Sequence, residues 1–132
     1  MYKYLLDTHI LLWALLSPEK LSERVAVELK NPENELWLSP ITTWEVVLLA
    51  EKGKIMLQGD PSDWMKNVLE TIPFGEASLN HEISLQSRKI DLPHNDPADR
   101  FIAATAQVYD LILITADKHL IAATKNFSVL PN

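Results

Sequence analysis

The acids of this chain differ in how well their surroundings account for them, and Glu45 is the least well explained. The segment Pro40 to Lys52 predicts a helix, and positions 41, 44, 45, 48 and 49 share one face of it. Ile41, Trp44, Leu48 and Leu49 make that face apolar, so Glu45 points where a core is expected. A carboxylate in such a place needs a cation, a set of hydrogen bonds or a raised pKa. Asp7 directly follows an apolar strand and so stands at its carboxyl end, although a turn or capping aspartate would sit there too. Asp99 and Asp117 have ordinary readings as helix-start residues. Asp60-Pro61-Ser62-Asp63 repeats the spacing of Asp96-Pro97-Ala98-Asp99 with no chemistry around it, so that spacing is only a capping signal. Asp99 differs from Asp63 in its company: Ile102, Ala103 and Ala106 follow it on its helical face, whereas Lys66 and Asn67 follow Asp63.

Other chemistries are excluded more simply. The chain has no cysteine, which removes disulfides, thiolate zinc sites and thiol nucleophiles, so a metal would be held by oxygen or histidine. The four histidines show no ligand spacing, and the three glycines form no phosphate-cradling loop. No serine sits in a G-x-S-x-G elbow. Trp13, Trp37, Trp44 and Trp64 read as core and interface anchors rather than as platforms for stacked bases. A net charge of −6 argues against a passive nucleic-acid binder with a basic face, and favours a metal-centred contact with phosphate over a basic patch.

The elements that must position these residues alternate. Strands are expected at Tyr2 to Leu6, Leu36 to Leu38, Thr71 to Phe74, Leu111 to Ile114 and Phe127 to Leu130. Helices are expected at Thr8 to Leu16, Ser22 to Lys30, Pro40 to Lys52 with Gly53 as C-cap, and Asp60 to Glu70. Three more run from Ser78 to Arg88, from Asp96 to Tyr109, and from Ala116 to Ala123 with Thr115 as N-cap. Short apolar strands between helices predict a parallel sheet covered on both faces, with any site beyond the carboxyl ends of its strands. The 132 residues fit one domain, 1–132. The apolar start is broken by Asp7 and His9, and no window reaches the length of a membrane span, so a soluble, cytoplasmic protein is expected with no membrane partner.

Four segments together resemble the conserved blocks of PIN-domain ribonucleases, in particular the VapC-type toxins of toxin–antitoxin pairs. They are Leu5-Leu6-Asp7-Thr8-His9, Ser39-Pro40-Ile41-Thr42-Thr43-Trp44-Glu45, His94-Asn95-Asp96-Pro97-Ala98-Asp99-Arg100 and Thr115-Ala116-Asp117. Each block is weak alone, but the four occur in the family's order and span nearly the whole chain. The family often has asparagine two positions after its first aspartate, where this chain has His9.

The resemblance implies a three-layer α/β/α fold around a five-stranded parallel sheet, and a metal-dependent endoribonuclease hydrolysing RNA phosphodiester bonds. It assigns Asp7, Glu45, Asp99 and Asp117 to an acidic site for Mg²⁺ or Mn²⁺, with Thr115 and Asp96 in support. It further implies a homodimer and a cognate VapB-like antitoxin, expected to be basic against this acidic chain. Arg100, Lys52 and Lys118 are the cations expected at the RNA, with Lys54, Arg88 and Lys89 as further candidates; a solvated surface charge is the alternative for each. Two phosphoryl-transfer readings fit less well. A receiver domain needs a pair of acids after its first strand, and a haloacid-dehalogenase-type phosphatase needs an acid where His9 stands. A PIN-like protein that binds without turnover is opposed by the complete acid set.

Overall fold

The computed structural model describes residues 1–93, 95–123 and 127–132; His94, part of the third resembling block, lies outside the described residues. Strand β1 (Lys3–Leu6) leads into α1 (Thr8–Leu16), a 3₁₀ turn (Pro18–Lys20) and α2 (Glu23–Lys30). Then come β2 (Glu35–Leu38), α3 (Pro40–Glu51), α4 (Pro61–Thr71) and β3 (Gly75–Glu76). The remainder is α5 (His81–Lys89), α6 (Pro97–Tyr109), β4 (Ile112–Thr115), α7 (Lys118–Ala122) and β5 (Val129–Pro131).

All strand pairs are parallel, in the order β3-β2-β1-β4-β5. The chain starts in the middle, builds outward to β3, then returns to the other side of β1 with β4. The direction of winding therefore reverses between β1 and β4, the place where sites form in such sheets. Alternation along the strands sorts the core into two clusters. Tyr4, Leu6, Leu38 and Ile114 face α1 to α4, while Leu5, Leu113 and Val129 face α5 to α7. The three-layer α/β/α arrangement expected from the sequence follows directly.

Where element boundaries differ from expectation, local hydrogen bonding supplies the reason. Thr71 to Phe74 is not a strand. Thr71 closes α4, whose cap is Ile72, and Pro73 has no N–H to give a ladder, so pairing begins only at Gly75. Helix α5 starts three residues later than Ser78 because Asn80 accepts from the Ile83 N–H at 2.9 Å and caps it. Lys52, not Gly53, caps α3; Gly53 follows it with φ +71°, where the glycine is needed. The cap of α7 is Asp117, not Thr115, which ends β4.

Gly75 has a second constraint. A Cβ there would lie 2.5 Å from Trp37 Cδ2, and the indole is wedged against Tyr109 with ring centroids 6.0 Å apart. Gly75→Ala is expected to cost about 1–3 kcal/mol of stability, the usual range for overpacking. A denaturant midpoint equal to wild type would show instead that Trp37 swings aside.

Candidate active site

Helices α1, α6 and α7 each begin with an aspartate that accepts its own first-turn N–H groups, and these helix starts meet at the switch point. Asp7 caps α1, Asp96 caps α6 and Asp117 caps α7. Asp96 accepts from the N–H of Ala98 at 3.0 Å; Asp117 accepts from those of His119 at 2.8 Å and Leu120 at 3.2 Å. Capping and site placement are thus compatible for the same residue. Together with Asp99 and Glu45, these aspartates line one pocket of about 350 Å³, whose wall is completed by His9, Trp13 and Ala116. A second hollow of about 310 Å³, beyond β2 and β3, is walled largely by apolar groups such as Leu38, Leu69 and Phe74 and offers no comparable carboxylate set.

Asp7 is the most deeply placed acid, 7 % exposed. Thr115 donates its hydroxyl to Asp7 Oδ2 at 2.6 Å, and the Thr8 N–H donates to Asp7 Oδ1 at 2.9 Å. Thr115 Oγ1 in turn accepts from the Asp117 N–H at 3.0 Å. On the other side, the Thr8 hydroxyl donates to Glu45 Oε1 at 2.5 Å and lies 3.3 Å from the Thr42 hydroxyl. A continuous set of hydrogen bonds therefore links Asp117, Thr115, Asp7, Thr8 and Glu45.

Glu45 has the partner its position demanded, but its stripe is not the one expected. Thr42 and Val46 are buried and Leu49 packs on the core, while Trp44 is 56 % exposed. Asp99 is half-buried in the first turn of α6, above the fully buried Ala103 and nearly buried Ile102 and Ala106. Asp63 is exposed.

Charge accumulates here. Burial raises the pKa of Asp7 against the opposing hydrogen bonds from Thr115 and Thr8. Burial likewise raises that of Glu45, with the Thr8 hydrogen bond opposing and Asp7 adding to the rise. Asp99 is pushed up to about 7, first by burial and then by the negative charges of Asp7, Asp96, Asp117 and Glu45. Such an all-oxygen, electron-rich donor set has the chemistry preferred by hard divalent cations. Among the described residues no three acids or imidazoles stand close enough to grip an ion as placed.

The expected RNA-contacting cations fare differently. Arg100 is 7 % exposed and is not among the residues that line the pocket. Its Nε donates to the Ser87 carbonyl at 2.7 Å and its Nη2 to those of Ile90 at 2.6 Å and Arg88 at 3.4 Å. It ties the end of α5 to the start of α6, satisfying carbonyls that a helix end leaves without partners. Lys52 caps α3, and Lys118 is exposed at the start of α7 beside Asp117. Sequence reasoning missed Thr8, Thr42 and Trp13. The adjacency of Thr8 to Asp7 and the i, i+4 spacing of His9 and Trp13 were the available signals.

A family model described as "PIN domain" matches residues 4–126. Among curated proteins, "Ribonuclease VapC22" of Mycobacterium tuberculosis is 29% identical over 119 residues, covering 88% of this chain and 88% of the relative. Two solved structures are similar in fold. One is a chain of VapBC2 from Rickettsia felis bound to a DNA fragment from their promoter, with TM-score 0.70, 15% identity and 98% of each chain covered. The other is a chain of FitAcB from Neisseria gonorrhoeae, with TM-score 0.66, 23% identity and 96% of each chain covered.

Two outcomes are expected of the site itself. Without divalent ions, folded Asp99 holds a proton that the unfolded chain releases between pH 3.8 and about 7, so its contribution to stability falls as pH rises through that window. Asp99→Asn should melt like wild type below that window and at higher temperature than wild type above it; parallel calorimetric curves at all pH values would refute the crowding of charge. Arg100→Lys cannot span the same carbonyls and is expected to lose about 1–3 kcal/mol in denaturant unfolding.

Proposed function

The chain belongs to the PIN-domain family, and on that premise we propose that it is a divalent-metal-dependent endoribonuclease, the toxin of a toxin–antitoxin pair. The observation that carries the reading is the convergence of acids from four separate parts of the chain on one pocket at the switch point. The names of the relatives agree with it: one is a ribonuclease, and a structural neighbour is a VapBC complex.

In this reading Asp7, Glu45, Asp99 and Asp117 would hold Mg²⁺ or Mn²⁺ directly or through its waters. Such an ion makes its water more acidic and offsets charge on the phosphate oxygens. The protein contributes orientation. Thr115 and Thr8 fix both oxygens of Asp7 before any ion arrives, and the second hydrogen bond of Thr8 fixes Glu45. Asp96 adds charge at the rim. Lys118 and Lys52 meet the RNA backbone; Arg100 is assigned to structure instead.

The chain is further assigned a homodimeric state and a VapB-like antitoxin, whose basic side chains suit a pocket lined by five carboxylates. A single domain in the cytoplasm completes the reading, and no helix among the described residues is long and apolar enough to cross a membrane.

Cleavage of RNA by the purified protein is the direct test. Wild type should cut with Mg²⁺ or Mn²⁺ and stop in chelator, while Asp7→Asn and Asp99→Asn, checked for folding by circular dichroism, should each lose on the order of 10²-fold or more in rate. Equal cleavage by all three proteins would assign the activity to something other than this site.

A further inference from the structure

The acid pocket has one wall that is not acidic. His9 and Trp13 stand one helical turn apart on α1, about 6 Å along its axis, with ring centroids 5.9 Å apart and planes tilted by 55°. Both line the pocket, and His9 is exposed. Trp13 packs on the first core cluster, which holds the ring in place, and it is also part of the pocket wall. Lys20, exposed on the 3₁₀ turn after α1, places Nζ over the Trp13 ring at 5.9 Å from its centroid. From Asp7 outward the order is therefore acid, aromatic pair, cation.

Packing on the core explains only part of the Trp13 surface. An indole open toward carboxylates gains nothing from their charge, and its uncovered surface stays in contact with water unless something flat and apolar covers it. A polyanion entering this pocket also needs attraction that the five acids do not give.

Resting on the ribonuclease reading, we propose that His9, Trp13 and Lys20 form a nucleotide subsite beside the acid pocket, in which one unpaired base of the RNA stacks on the aromatic wall and the adjoining phosphate meets Lys20. Every base has a π-face, so the subsite selects an unstacked base rather than a particular sequence. In a duplex those faces are already covered by neighbouring bases, so only an unstacked base can enter the subsite. Lys20 leaves the indole for the phosphate as the base arrives, which exchanges one exposed cation–π contact for a charge-assisted one.

Anisotropy of a short, labelled, unstructured RNA with the Asp99→Asn protein tests this, because the strand stays intact. Trp13→Leu in that background should bind about tenfold more weakly, and Trp13→Phe should recover most of the loss. A single abasic nucleotide, walked along the strand, should remove the dependence on Trp13 at one position only. Lys20→Gln should weaken intact and abasic strands alike, and lower the slope of log affinity against log salt by roughly 0.7.

Equal loss on all abasic strands, or no loss in Trp13→Leu, overturns the subsite. Should Trp13→Leu fail to fold, the abasic walk on the parent protein decides alone, and a flat profile overturns the proposal. A wild type that cuts no RNA while the base-dependent step persists would remove the ribonuclease reading and keep the subsite. Cleavage without that step would do the reverse, and absence of RNA binding would remove both.

Discussion

A carboxylate buried at the end of the middle strand is the constraint from which the rest of this site follows. Asp7 leaves water almost entirely, and a charge in that position is tolerated only if each oxygen finds a donor. One donor is local, the Thr8 N–H at the start of α1. The other, the Thr115 hydroxyl, comes from 108 positions away. The register that pairs Leu6 with Ile114 sets Asp7 and Thr115 side by side as the next residues of adjacent strands. Slipping that register by one residue would turn Thr115 to the other face and leave Oδ2 without its donor. The strand order and the chemistry are therefore one requirement.

Around this fixed point the acids are gathered at a cost. Asp99 bears part of it, lifted to about 7 by burial and by four neighbouring carboxylates. The starts of α1 and α6 offset part of the charge, because N–H groups and the positive ends of helix dipoles point at it. The remainder is borne by the two apolar clusters on either side of the sheet, which contain none of the site acids. Local instability at a functional site, carried by a well-packed scaffold, is a common division of labour in proteins.

The fold was largely legible because its signals are local. Proline after a capping aspartate marked the starts of α4 and α6, and alternation of apolar strands with helices implied the covered parallel sheet. The misplaced boundaries at Ser78 and Thr71 belong to capping and ladder bonds that periodicity does not encode. At the site, Asp7 and Glu45 could be singled out from chemistry, and Glu45 does have the partner its position called for. Asp99 and Asp117 could not, since a capping aspartate looks alike whether or not other acids surround it. The burial of Arg100 among backbone carbonyls and the exposure of Trp44 were not legible for one shared reason. A long or large side chain can leave the face its residue occupies, and only packing decides where it ends.

The central position of β1 also has a bearing on timing. Lys3 pairs with Glu35 early in the sequence, but Leu6 waits for Ile114. Contacts this distant close slowly, and a chain emerging from the ribosome at about 5–20 residues per second leaves β1 half-paired for several seconds. During that interval Asp7 lacks its second donor, and Asp99 and Asp117 have not yet been brought to it. The acids of the pocket are therefore brought together only after β4 has been made and paired with β1.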